Sequence, residues 1–360
     1  MSEPQRHVQR WAGVPGSAET AVFFTQESGN DSRKQRRFSE KDLTLSLLQA
    51  ILGLAAATTP PSFWAQVCRV TAWPKTLKGR RRELAGFSAR VGDVLRRSDI
   101  DAAQLFARTQ QRLHERQMTY LRERFSQHQP VTDVEGLEHL QASLAQGKGV
   151  ILWNTPALSD VVVTKRALAA AGHAAHQLSV RSHGFSQSKF AVRHLNPGQI
   201  AVEDRYLAGR IWFEGADAMS ATREVMRRLQ KNLPVLFTNS LFAGRSFVGV
   251  PVGDAFVLTM PTTPLSIAAK AGVPLHVVTT VEHASFSHYV THISPALSVG
   301  DIALPGMTMD ARLAALALQA RDILVPLLRQ YPDQIRLWDR LVDTAEFADG
   351  RADDGGASRT

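Results

Sequence analysis

The chain has 360 residues, carries a formal charge of +9 and is 44% hydrophobic. That apolar fraction excludes a polytopic membrane protein. The single cysteine, Cys68, excludes a disulfide framework and any cysteine-rich metal site, and fits a reducing compartment. The basic excess suits anionic partners, whether a phospholipid surface, nucleic acid or a phosphorylated or acyl-carrier substrate; high arginine usage alone would produce it as well.

Residues 1–37 are polar, end in Arg33-Lys34-Gln35-Arg36-Arg37, and show no signal peptide, so poor order is expected there. Residues 38–125 read as helical. Ser39 and Asp42 form a capping pattern ahead of the apolar run Leu43 to Ala57, which Pro60-Pro61 closes. That run is too short to span a bilayer and suits either a membrane interface or a buried core helix. A basic cluster follows at Lys75, Lys78, Arg80, Arg81 and Arg82. Leu84, Phe87, Val91, Val94 and Leu95, then Ala103, Phe106, Leu113, Met118 and Leu121, recur at helical spacing.

The pattern changes near Gln129-Pro130. A helix from about Val134 ends at Gly147, and Val150–Trp153 reads as a strand. Val161–Ala171 is helical, stopped by Gly172, and Gln177–Val180 is a second strand. Met219–Asn232 is amphipathic, with Val225, Met226 and Leu229 inward. Leu233–Thr238 is a third strand, Phe247–Val252 a hairpin arm, Pro264–Ala271 a helix, Leu275–Val281 a β-branched strand and Ala311–Gln330 a closing helix that Pro326 kinks. The tail from Ala348 reads as disordered. Alternating strands and helices predict an α/β fold with a mostly parallel central sheet flanked by helices and an N-terminal helical extension.

A nucleophile elbow and a phosphate-binding loop are absent. No basic-aromatic platform points to nucleic acid, and no histidine pair at i, i+4 spacing stands next to an acidic base, so zinc binding is not expected. His128 and Asp133 spell H-x4-D, but they precede the helix before the strand, where they cannot aim at one point. His173, His176, His183 and His194 are loop histidines or entrants to a site. His183 follows the second strand, where α/β sheets present ligand-binding edges. Arg193, Arg205, Arg210 and Arg245 are either anion ligands or solvated surface charges.

Three passages carry a resemblance. They are Gly136-Leu137-Glu138-His139-Leu140 through Gly147-Lys148-Gly149-Val150-Ile151-Leu152; Leu229 through Val278, including Gly249-Val250-Pro251-Val252-Gly253; and Tyr331-Pro332-Asp333-Gln334 with Trp338 and Arg340. Their order resembles the lysophospholipid acyltransferase superfamily and, within it, the lipid A late acyltransferases. The resemblance implies a glycerolipid-acyltransferase-like α/β domain over 129–341; composition and periodicity add a helical extension over 38–128, open to membrane-interface contact, and disordered ends at 1–37 and 342–360. The resemblance also implies acyl transfer from a carrier-protein or coenzyme A thioester to a lipid-like, hydroxyl or amine acceptor, without a cofactor. The implied place is peripheral, at the cytoplasmic face of a bacterial inner membrane, or otherwise the cytoplasm, with an anionic membrane surface and the acyl donor as partners.

The family places a catalytic His at the end of the first strand and an acid a few residues on. Here Asn154 stands in place of the His, and Asp160 in place of the acid. Asn239 stands where the family often has Asp. The C-terminal passage has Ile335 and Asp339 where the family has Trp and His. Asn154 is suited to donate a hydrogen bond to an acyl carbonyl, and His183 to replace the missing base. The rival reading is a non-catalytic member that keeps the groove as a lipid-binding or scaffolding subunit.

Overall fold

A computed structural model describes residues 6–13, 17–26, 37–77, 80–97, 99–126, 128–157, 162–180, 183–184, 186, 188–213, 218–238, 246–298 and 306–351. The chain opens with strands β1 (Arg6–Gly13) and β2 (Thr20–Gln26), then four helices: α1 (Glu40–Thr58), α2 (Pro61–Leu77), α3 (Arg80–Leu95) and α4 (Ala102–Phe125). Next come β3 (Val131–Glu135), α5 (Leu137–Leu144), β4 (Val150–Asn154), α6 (Val163–Ala170), β5 (His176–Val180), α7 (Lys189–His194), α8 (Asn196–Asp204) and β6 (Gly209–Phe213). The rest is α9 (Ala218–Gln230), β7 (Pro234–Thr238), β8 (Ser246–Val252), β9 (Phe256–Pro261), α10 (Thr262–Ala271), β10 (Leu275–Ala284), β11 (His288–Ile293), α11 (Met309–Gln330) and β12 (Leu341–Asp343).

The central sheet has seven strands in the order β3-β11-β10-β4-β7-β5-β6. From β10 to β6 all neighbours are parallel; β11 runs antiparallel to β10. β4 lies in the middle, and every residue of it is buried. A strand covered on both faces must be apolar throughout, which is why Val150–Trp153 was readable as one. Ile151, Trp153, Val235 and Val277 pack toward α9, α10 and α11; Val150, Leu152, Leu236 and Val278 pack toward α5 and α6. Gly149 makes the entry to β4 possible. Its φ is +71°, and a Cβ there would lie 2.6 Å from the Leu229 carbonyl oxygen.

A second, antiparallel sheet, β1-β2-β8-β9-β12, was not expected. It corrects both ends of the domain division. The segment 1–37, read as poorly ordered, supplies β1 and β2, with Val22, Phe23 and Phe24 buried. The segment 342–360 supplies part of β12 and a 3-10 stretch Thr344–Arg351 in which Phe347 is fully buried. β2 pairs with β8 far along the chain, so nothing local announces it. β3, β6, β11, α7 and α8 were also missed; the first three are short outer strands or mixed in exposure.

The helices of 38–125 form as expected, and they are fastened to the core by charge. Arg112 on α4 is buried and pairs with Glu115 (2.7 Å), Asp333 (2.8 Å) and Glu282 on β10. Gln334 clasps the backbone N–H and carbonyl of Glu282 at 2.7 and 2.9 Å. The Tyr331-Pro332-Asp333-Gln334 passage is therefore a clip between α4 and the sheet. The same segment continues to the loop after β4, where the Arg336 N–H donates to the Pro156 carbonyl at 2.7 Å and Ala157 bridges Ile335.

Candidate functional site

The chain leaves β4 through α6 to reach β5 on one side. It leaves β7 through β8, β9 and α10 to reach β10 on the other. α6 covers the sheet face of Val150 and Leu152, and α10 the face of Ile151 and Trp153. Connections diverging to opposite faces from adjacent strand ends open a crevice, the usual ligand position in such sheets. Asn154 and Thr238 are register partners at that point. Asn154 is 1% exposed, and the next residue, Thr155, donates its N–H to Val278 O (2.8 Å) and accepts the Thr279 hydroxyl at its own (3.0 Å).

Beside it lies a cleft of about 100 Å³ at the ends of β5, β6 and β7 and the start of α10. Leu178, Val180, Phe213, Phe237, Pro261 and Pro264 form apolar walls, and Ser179, His183, Thr238 and Thr263 supply polar groups. The His183 ring is 23% exposed, and its Nε2 lies 3.1 and 3.0 Å from the two carboxylate oxygens of Glu203. A carboxylate only accepts, so Nε2 carries the proton. In the neutral ring the basic lone pair is then on Nδ1.

Glu203, on α8, is fully buried. It also accepts from Lys165 Nζ (2.7 Å), Arg210 (2.7 Å) and Gln199 Nε2 (2.7 Å). Burial pushes its carboxyl up, but the charges of Lys165, His183 and Arg210 and the His183 hydrogen bond prevail and hold it well below the ordinary range. A histidine oriented by a buried carboxylate is the arrangement a general base requires. Sequence reasoning had singled out His183 but neither Glu203 nor Lys165. A carboxylate twenty residues on, in a segment with no assigned element, carries no local signal that it returns to that histidine.

The remaining residues divide. Arg210 is committed to Glu203, Asp204 (2.6 Å) and Ser179 (2.9 Å), and Arg205 donates to the Glu123 carbonyl (2.9 Å); both serve internal contacts. Arg193 is exposed on α7. Asp160, Asn239 and Arg245 lie outside the described residues. His128 Nε2 donates to the Phe286 carbonyl (3.2 Å) while Asp133 pairs with His288 (2.7 Å), so that H-x4-D pair is split. His176 is buried at the start of β5, its pKa lowered by burial and by Arg228. Among the described residues no group of three or more His, Cys, Asp or Glu is placed to hold a metal ion.

A second feature is a surface. No charged residue stands between Asp42 and Arg69. Leu43, Leu47, Ile51 and Leu54 line the outer face of α1, and Phe63, Val70 and Trp73 that of α2; each is at least 42% exposed. The inner face, with Leu48, Leu52, Trp64 and Cys68, packs against Met118 and Leu121 of α4. Among the described residues no helix is long and apolar enough to cross a membrane. The basic cluster Lys75–Arg82 follows in sequence, but its side chains lie outside the described residues.

Comparison with protein-family models and with curated proteins finds no match.

Proposed function

We propose that the crevice beyond β4, β7 and β5 transfers an acyl group from a carrier-protein or coenzyme A thioester to a lipid-like acceptor, as the resemblance to the lysophospholipid acyltransferase superfamily implies. The observation that carries the reading is His183 held by buried Glu203 at the rim of an apolar cleft. In this reading His183 Nδ1 takes the proton from an acceptor hydroxyl or amine as it attacks the thioester carbonyl. The tetrahedral oxyanion is met by the Asn154 amide, a role that needs no proton transfer. The thiolate leaves and takes a proton, so the ester or amide and a free thiol are the products.

The α1–α2 face supports a place on the membrane. A helical hairpin that carries no charge between Asp42 and Arg69, exposes aliphatic residues with Phe63 and Trp73, and precedes a basic run in a chain of charge +9 matches a helix pair lying in the interface of an anionic bilayer. Each Lys or Arg near such a surface contributes about 1 kcal/mol.

A second reading rests on Asn154 in the position of the family's base: a non-catalytic subunit that retains the groove for lipid binding. Thiol release decides between them. The full chain is incubated with acyl-coenzyme A and acyl-carrier donors of several chain lengths and with vesicles containing hydroxyl- and amine-bearing lipids. Release that His183→Ala abolishes supports transfer. Release at the buffer rate with every donor leaves the groove a binding surface.

A further inference from the structure

We infer that α1 couples the lipid-facing surface to the site: docking of its outer face acts on the segment that carries His183, through Asp42 and Ser186. This rests on the reading above that the α1–α2 face meets a bilayer.

The N-terminal half of α1 has two sides. Leu43 and Leu47 are exposed on one. On the other, Asp42 is fully buried and has two tasks. One oxygen accepts the Ser39 N–H at 2.7 Å and closes the capping box of the helix. The other accepts the Ser186 hydroxyl at 2.8 Å, outside the helix. The Ser186 carbonyl in turn accepts Asn196 Nδ2 at 2.7 Å, and Asn196 is buried against Gly184. Gly184 directly follows His183, and a Cβ there would lie 2.2 Å from the Asn196 side chain, so this contact requires glycine. Hydrogen bonds to Asp42 from Ser188, Ser186 and Ser39 outweigh its burial and keep the carboxyl below its ordinary value.

A second contact runs parallel to the first. The Phe190 N–H donates to the Arg37 carbonyl at 3.1 Å, and the Phe38 and Phe190 rings meet edge to face at 5.3 Å. The helix start is thus joined to Ser186 and Phe190 by hydrogen bonds and by an aromatic contact. A helix moves as a rigid element. One whose outer face is restrained by lipid and whose inner end holds the His183 segment transmits the restraint inward. Asp42 and Ser186 are then positioning residues, acting through His183.

Hydrogen exchange of the full chain tests this, with and without vesicles of phosphatidylcholine mixed with phosphatidylglycerol. The wild-type chain should sediment with the vesicles, and amide exchange over residues 183–195 should slow by roughly fivefold, the factor that one hydrogen bond contributes. Ser186→Ala leaves the capping box and the Phe38–Phe190 contact intact; it should sediment equally and lose most of the vesicle-dependent slowing. Ser186→Thr keeps the hydroxyl and should restore it. Equal slowing in Ser186→Ala, or sedimentation of wild type without slowing, overturns the coupling and leaves the docking face standing. A wild-type chain that stays in the supernatant removes both, while the thiol-release test of His183 is unaffected.

Discussion

Replacing Glu203 with Gln probes the polar centre of the proposed site. The substitution preserves shape but removes a charge that is fully buried between Lys165 and Arg210, whose side chains are each 3% exposed. Breaking a buried pair by removing one partner costs about 3–5 kcal/mol, because the remaining charge stays desolvated. The lower end is expected here, since Arg210 keeps Asp204 and Ser179. The pH dependence follows from the direction of the shift. The folded carboxyl titrates below its ordinary value of 4.5, so its contribution is complete above that pH and is lost as pH falls through the depressed folded value. Urea unfolding followed by circular dichroism, at neutral pH and at steps below 4.5, should show a wild-type advantage of about 3 kcal/mol at neutral pH that shrinks with acid. An advantage under about 1 kcal/mol, or one constant across the series, would refute the buried-pair account.

Three further outcomes are expected. If the site is a working acyltransferase, Asn154→Ala should lower turnover about 100-fold in the thiol-release assay, the scale of one lost oxyanion donor; unchanged turnover removes that role. Leu47→Glu combined with Leu54→Glu should keep the chain in the supernatant during sedimentation with anionic vesicles, without loss of helical circular dichroism; retention on vesicles argues against the α1 face. Gly149→Ala should destabilise by roughly 2–4 kcal/mol, from left-handed strain plus overpacking against Leu229; a variant melting with wild type would show that the β4 entry is not tight.

Much of the central sheet was legible in the chain itself. Val150–Trp153, Leu233–Phe237 and Leu275–Val281 are continuous apolar runs because β4, β7 and β10 are neighbours covered on both faces, and that burial leaves its mark on every residue. The position of Asn154 at the end of the middle strand follows from the same pattern. The capping box at Ser39 and Asp42 was legible because it is local. What depended on distant partners was not. β1 and β2 are held by β8, and short strands paired across the chain carry no periodicity of their own. The run Leu43–Ala57 was equally a core or an interface helix; only packing against α4 decided that Leu48 and Leu52 go inward while Leu43, Leu47, Ile51 and Leu54 stay out. Residue type left Arg210 and Arg205 either anion ligands or solvated charges, and folding turned them instead to Glu203 and the Glu123 carbonyl. Hydrophobic burial is written residue by residue along an element. The pairing of a buried charge is a meeting of two distant segments, so the partnership of His183 with Glu203 came into being only with the tertiary fold.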